Sequence, residues 1–180
     1  MLLAVKEKSH AKVVSADLNT FTVRPLITTS IGVSALTLSH GETVLGYKDG
    51  SVEIVKRDNS RFELSLSESG SSEIVALIEG PPKAFVAAFA NGEVGLCSQD
   101  TGEMFVMRRV HGRPVHLLLK NQVLYAASDL GQQIKIDLSV FYKSRCELLR
   151  EVWKRVPTVW RNGRPVTEKP PPEHDCLKTN

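Results

Sequence analysis

The sequence lacks most of the features that mark membrane, secreted and disulfide-rich proteins. Its 180 residues include three widely spaced cysteines, Cys97, Cys146 and Cys176, and no CxxC pair. The first apolar run, residues 2–5, ends at Lys6 and is shorter than the roughly 7–15 apolar residues of a secretory signal. No run approaches the roughly 18 apolar residues that cross a bilayer. These absences favour a soluble protein of a reducing compartment, the cytosol or the nucleus.

Motifs of catalysis and metal binding are also missing. The chain contains no GxSxG elbow, no GxxxxGKS/T phosphate loop, no GxGxxG turn and no HExxH pair. Its five histidines, at positions 10, 40, 111, 116 and 174, are scattered, whereas a structural metal site normally needs four protein ligands. We therefore expect a protein that is not an enzyme and that holds no metal, no cofactor and no small-molecule substrate.

Positive charge is concentrated near the end of the given sequence. The whole chain has 23 basic and 20 acidic residues. Residues 1–142 hold 14 basic and 15 acidic residues, whereas residues 143–180 hold 9 and 5. The sequence therefore predicts a nearly neutral body and a basic segment that could meet phosphate or an acidic surface.

A period of about forty residues runs through the body. Its units open on apolar strands at Val33, Ile74 and Val115, 41 residues apart each time. A second apolar segment, a turn ending in glycine and an alternating strand follow in each unit. The turn glycines are Gly50, Gly92 and Gly131, and the residues predicted to point inward after the first two are Val52, Ile54, Val94 and Leu96. The Asp-Gly and Asn-Gly pairs of these turns tolerate the positive φ angles of a tight hairpin.

Four antiparallel strands repeating at this interval are typical of a WD40-type β-propeller blade. Fourth strands are predicted at residues 61–66 and 104–107, and His111 stands where such a repeat commonly carries a histidine. The Trp-Asp dipeptide is missing. Residues 1–142 are therefore interpreted as an all-β, partial WD40-like propeller of about three to three and a half four-stranded blades. Another meander of antiparallel hairpins is the alternative.

The pattern changes in residues 143–180, which we interpret as a basic helix and a Pro-rich tail. Apolar residues at helical spacing in residues 140–156 predict one short amphipathic helix that Pro157 ends. Later prolines, at 165 and 170–172, predict an extended, disordered remainder. The first thirty residues predict two or three strands of an incomplete blade.

The basic segment carries the candidate contact residues. They are Arg150, Lys154, Arg155, Trp160, Arg161 and Arg164. Lys and Arg neutralise phosphates, and an aromatic face can stack on an unpaired base, so RNA is one candidate partner. A protein contact is the second reading, and plain packing with solvated charge is the third.

Three segments carry a family resemblance. They are MLLAV at residues 1–5, SHGETVLGYKDGSVEIV at residues 39–55 and RVPTVW at residues 155–160. Together they resemble the Nsa-type WD-repeat proteins, nucleolar factors in large ribosomal subunit assembly. By this match Arg155, Val156, Pro157 and Trp160 carry over from an Arg-Val-Pro-Ile-Trp type motif, with Thr158 and Val159 standing in place of one aliphatic residue.

The resemblance implies a seven-bladed family roughly twice this length, so that the chain would be an N-terminal half or a truncated or alternatively ended product. It also implies a non-catalytic scaffold in the nucleolus or nucleus that binds pre-ribosomal particle proteins and precursor rRNA. An AAA-type ATPase would release it, and no membrane would be involved. The repeats alone would equally fit a WD40-type adaptor in another nuclear or cytosolic complex.

Overall fold

The computed structural model describes residues 2–7, 10–17, 19–20, 22–30, 32–64, 72–156, 158–167 and 175–177, several of them by their backbone only. The chain divides into two compact units, Met1–Asp137 and Leu138–Asn180. The boundary lies before Leu138, slightly earlier than the predicted boundary after Tyr142. Each unit is described by itself below.

The described part of the first unit consists of antiparallel meanders in which each strand pairs with its neighbour in sequence. Sheet I contains β1 (Leu2–Glu7), β2 (His10–Asp17) and β3 (Thr22–Thr29). Sheet II contains β4 (Val33–Ser39), β5 (Glu42–Tyr47), β6 (Val52–Val55) and β7 (Arg61–Leu64). Sheet III contains β8 (Ile74–Glu79), β9 (Ala84–Phe89), β10 (Glu93–Ser98) and β11 (Met104–Arg109). Sheet IV contains β12 (Pro114–Lys120), β13 (Val123–Ser128) and β14 (Gln133–Asp137).

The predicted strands and the fourth strands of sheets II and III are confirmed. Sheets I and IV have three strands each among the described residues. β3 continues through Pro25. Pro25 lies opposite Val14, beside a register shift between Val13 and Val14, and on a strand paired on one side only. An edge or a bulge is where a strand tolerates proline, because the missing N–H costs no ladder bond there.

The glycine turns differ in one respect from the prediction. Gly50 has a φ of 87° and donates its N–H to the carbonyl of Tyr47, 3.1 Å away, but Asp49 does not adopt a positive φ. Its carboxylate instead accepts the N–H of Ser51 at 3.0 Å. Asn91 accepts the N–H of Glu93 at 3.1 Å in the same way. Only the glycine therefore needs left-handed freedom, and the residue before it acts through its side chain.

Sheets II and III pack face to face. Antiparallel pairing places Val44 opposite Ile54 on one face of sheet II, and these two side chains join a buried cluster with Ile74, Leu77 and Phe85 of sheet III. Gly46 lies on the same face, and a Cβ added there would come within 2.7 Å of the Ile74 Cγ2 atom. A side chain at residue 46 would therefore push the two sheets apart.

The opposite face of sheet II packs on sheet I. Leu45, Tyr47 and Val55 form a second buried cluster with Val13 and Ile27. Tyr47 donates its hydroxyl hydrogen to Glu53 at 2.6 Å. Burial, reinforced by this carboxylate partner, raises the pKa of Tyr47. The two central strands of sheet II, β5 and β6, are thus buried on both faces, which explains why they are nearly continuously apolar.

Sheet III is also buried on both faces. The four residues predicted to point inward, Val52, Ile54, Val94 and Leu96, are all buried, which confirms that prediction. On the face of sheet III directed away from sheet II, Val94 lies opposite Ala88 and Leu96 opposite Val86. Sheet IV follows on that side, with Leu124 and Ala126 buried.

The turn at Gly92 provides a test of this packing. The residue has a φ of 94°, and a Cβ added to it would lie 2.2 Å from the carbonyl oxygen of Val110. Gly131 has a similar φ of 81° but nothing within 4 Å of such an atom. We expect Gly131→Ala to lower the free energy of unfolding by about 1 kcal/mol through the left-handed backbone alone. Gly92→Ala should cost about 3 kcal/mol, because the Val110 backbone must also move.

Urea unfolding of the two variants beside the parent chain measures both losses. Equal losses would contradict the close approach of Gly92 to Val110.

Candidate functional site

The second unit contains the helix that carries the predicted contact residues. After a 3-10 turn at Ser139–Tyr142, α1 runs from Arg145 to Arg155. Ser144 caps it: its Oγ accepts the Glu147 N–H at 3.3 Å, and the Glu147 carboxylate accepts the Ser144 N–H at 2.7 Å. The bond from the Ser144 backbone holds the pKa of Glu147 below its usual value. The predicted short helix is confirmed, beginning later than the apolar pattern indicated.

Charges are arranged along α1 in the order that its dipole favours. Glu147 lies in the first turn, and Lys154 and Arg155 lie in the last. Lys143 forms an ion pair with Glu151, and its hydrogen bond lowers the pKa of that carboxyl. The acidic residues of the helix are therefore engaged by local partners, while basic residues gather at its C-terminal end.

Residues 158–167 form a hairpin where the prolines predicted an extended, disordered segment. The N–H of Val156 donates to the Val152 carbonyl at 2.7 Å and closes α1. A hairpin of β15 (Thr158–Arg161) and β16 (Arg164–Thr167) follows. Its turn residues, Asn162 and Gly163, have φ angles of 51° and 73°. This Asn-Gly pair adopts the two-residue hairpin geometry that such pairs favour, and residues 158–167 are therefore not a disordered tail.

A disulfide bond joins α1 to a later segment of the same unit. Cys146, in the first turn of the helix, is bonded to Cys176 in the 3-10 turn Asp175–Leu177. Arg150, four residues after Cys146, donates its Nε–H to the Cys176 carbonyl at 2.7 Å. Arg150, predicted as a partner contact, thus fastens this segment to the helix.

The remaining predicted contact residues lie on two different elements, α1 and the hairpin. Lys154, Arg155 and Arg164 are exposed. Trp160 and Arg161 lie in β15, opposite Pro165 and Arg164 respectively. The side chains of Trp160 and Arg161 are outside the described residues. The structure therefore presents Lys154 and Arg155 together on one helical turn and Arg164 on the hairpin.

This arrangement suits electrostatic binding of an anionic partner. An exposed guanidinium or ammonium group can neutralise a phosphate or pair with a carboxylate. In the part of the chain that the structure describes, no group of three or more His, Cys, Asp or Glu side chains could hold a metal ion. No described helix is long and apolar enough to cross a membrane.

The disulfide is the structural feature that the sequence reasoning missed. Two of the three cysteines fall in the basic segment, and that shared location was the one available signal. The third, Cys97, is free and fully buried in the core between sheets II and III. Burial raises the pKa of its thiol.

Comparison with known proteins gives a fold but no family. No protein-family model matches the chain, and no curated protein matches it. Solved structures do. The computationally designed protein Ika4 matches with a TM-score of 0.54 and 19% identity, over 75% of this chain and 89% of that chain. The designed protein Ika8 matches with a TM-score of 0.56 and 15% identity, over 75% of this chain and 45% of that chain.

A chain of the mitotic checkpoint complex, a WD40-containing assembly, matches with a TM-score of 0.55 and 14% identity, over 69% of this chain and 41% of that chain. The protein thus spans less than half the length of Ika8 and of the checkpoint-complex chain. These likenesses support a propeller-like fold, although the described strands form no closed sheet. Because the same share of this chain covers most of Ika4 and less than half of Ika8, the Ika8 chain is about twice as long as Ika4.

The cysteine arrangement predicts a stepwise reaction with an alkylating reagent. The native oxidised protein should take up no label, since Cys146 and Cys176 are bonded and Cys97 is buried. Mild reduction should add two labels, and denaturation a third. The Cys146→Ser/Cys176→Ser variant should lose about 3 kcal/mol of stability in the second unit, because the closed loop no longer restricts its unfolded state.

Intact mass after each step counts the labels. Labelling of Cys97 in the folded, reduced protein would contradict its buried position.

Proposed function

We propose that this protein is a non-catalytic scaffold in large ribosomal subunit biogenesis, which binds pre-ribosomal particles and supports rRNA processing. The exposed basic residues of the second unit carry the proposal, because they give the chain a phosphate-binding surface that its near-neutral first unit does not supply. The three sequence segments that resemble Nsa-type proteins support it as well.

In this proposal the first unit is a partial WD40-type propeller of about three to three and a half four-stranded blades. Sheets buried on both faces make a stiff body, and stiffness suits a platform on which several partners are held. The turns at Gly50, Gly92 and Gly131 would offer partner proteins one repeated set of loops. An AAA-type ATPase would release the scaffold, and its site of action would be the nucleolus.

The second unit would supply the RNA contact. Lys154 and Arg155 occupy the last turn of α1, where they also complement the helix dipole. Arg164 follows the tight turn of the hairpin and is exposed. The Arg150 bond to the Cys176 carbonyl restricts the segment around α1, so less conformational entropy is lost when a partner binds.

A WD40-type adaptor in another complex is the second candidate. The near-neutral first unit favours it, since the protein contacts of such a platform would not rely on electrostatic attraction to phosphates. Salt dependence separates the two functions, because an RNA contact weakens steeply with added salt.

Charge reversal tests the proposed RNA contact. The variant Lys154→Glu/Arg155→Glu/Arg164→Glu should recover at least tenfold less large-subunit precursor RNA and pre-ribosomal protein than the parent chain. Loss of three phosphate contacts should reduce the log–log salt slope of single-stranded RNA binding by roughly 2. Affinity purification followed by RNA and protein identification gives the first result, and a salt titration gives the second.

A matched control reverses three exposed basic residues of the first unit, as Arg24→Glu/Lys48→Glu/Lys56→Glu. It should retain RNA binding and the parent slope. Recovery of a different complex with unchanged salt dependence would favour the adaptor, and recovery of neither precursor RNA nor pre-ribosomal proteins would overturn the scaffold.

A further inference from the structure

Sheet IV has one face that no described strand covers. Its pairing register places Leu117, Leu124 and Ala126 on the side of sheet III. The other side, which we call the sheet IV outer face, consists of His116, Leu118, Tyr125, Ala127, Gln133 and Lys135. These residues, together with Ala126 and Ile134, line an open groove of about 440 Å³. Leu118 is 57% exposed and Tyr125 is 41% exposed, so apolar surface is available there.

The corresponding face of sheets II and III, the one that carries the second and fourth residues after the turn glycine, is buried. Counted from the turn glycines, Gln133 and Lys135 occupy the positions of the buried pairs Val52/Ile54 and Val94/Leu96. On the sheet IV outer face β14 is therefore polar, while β12 and β13 present Leu118, Tyr125 and Ala127. Lys135 lies over the Tyr125 ring, 5.8 Å from its centroid. An apolar patch with a polar border is the composition of an interface between separately soluble partners.

Sheet I has a comparable face at the other end of the array. Val13 and Ile27 point towards sheet II. Val14, Ala16, Val23 and Pro25 lie on the opposite side of β2 and β3, which we call the sheet I outer face, and of these Val14 is buried. Val23 is 62% exposed and Pro25 is exposed too. The array thus carries two different apolar faces, one at each end.

The described chain after β14 does not complete sheet IV. β15 and β16 form a separate two-stranded sheet, and sheet IV ends at β14. In sheets II and III the next sheet packs against the apolar pairs Val52/Ile54 and Val94/Leu96, whereas sheet IV has the polar pair Gln133/Lys135 at these positions.

We propose that two copies of this chain close a ring, with the sheet IV outer face of each copy packed on the sheet I outer face of the other. Four sheets per copy give eight in all, within the roughly four to eight blades of closed propellers. The two-to-one length ratio of the matched designs shows that this fold occurs at both sizes. A head-to-tail contact that closes after two copies forms a finite dimer rather than a filament.

Sedimentation of the full chain over a concentration series tests the ring. The parent should form a reversible dimer and no larger species. Leu118→Asp and Val23→Asp should each be monomeric, since each places a charge in one of the two faces. Leu130→Asp is the matched control, because Leu130 is 74% exposed in the β13–β14 turn, outside both faces, and this variant should still dimerise. Circular dichroism and thermal unfolding confirm that each variant is folded.

Mixing the two monomeric variants identifies the contact. Leu118→Asp retains its sheet I outer face and Val23→Asp retains its sheet IV outer face, so an equimolar mixture should regain a dimer through one intact contact. A parent chain that stays monomeric, a Val23→Asp variant that dimerises normally, or a mixture that stays monomeric would each overturn the proposal. This test does not depend on the proposed ribosomal function.

Discussion

The structure of the first unit depends on one constraint: every sheet has apolar faces that only a neighbouring sheet can cover. Sheets II and III satisfy it on both sides, through the cluster around Ile54, Ile74 and Phe85 and through the packing on either flank. The spacing is close enough that residue 46 must be glycine, because Ile74 occupies the space of its side chain. No sheet of this kind is stable alone, so the sequence must repeat the sheet for its apolar faces to be covered.

This constraint explains why the sequence predicted so much of the fold. Burial on both faces produces apolar strands, and the short turns between them repeat glycine at a fixed position, so the period could be seen without a structure. The conformation of Asp49 could not be predicted. An aspartate that accepts a hydrogen bond through its side chain and one with a left-handed backbone are the same residue in the sequence. The position of Pro25 within β3 also depends on the sheet, because a strand tolerates proline at an edge and the sequence alone does not show which strand is at the edge.

The second unit was harder to predict because its order comes from distant pairs. The capping box of Ser144 and Glu147 is local, and so the helix could be expected. The bond between Cys146 and Cys176 spans 30 residues, and the Arg150 contact with the Cys176 carbonyl depends on it. Charge and aromatic content alone therefore assigned Arg150 to partner binding and gave no sign of its bond to the Cys176 carbonyl.

The end of the array shows how a small sequence change alters what a sheet can do. In sheets II and III the apolar residues after the turn glycine fall at the second and fourth positions, as Val52/Ile54 and Val94/Leu96 do. In sheet IV they fall one residue later, at Ile134 and Ile136. Because side chains alternate between faces, this shift of one residue directs both isoleucines towards sheet III and places Gln133 and Lys135 outside. The repeat thus ends in a solvent-exposed face that is polar along β14, while Leu118 and Tyr125 leave apolar surface exposed beside it.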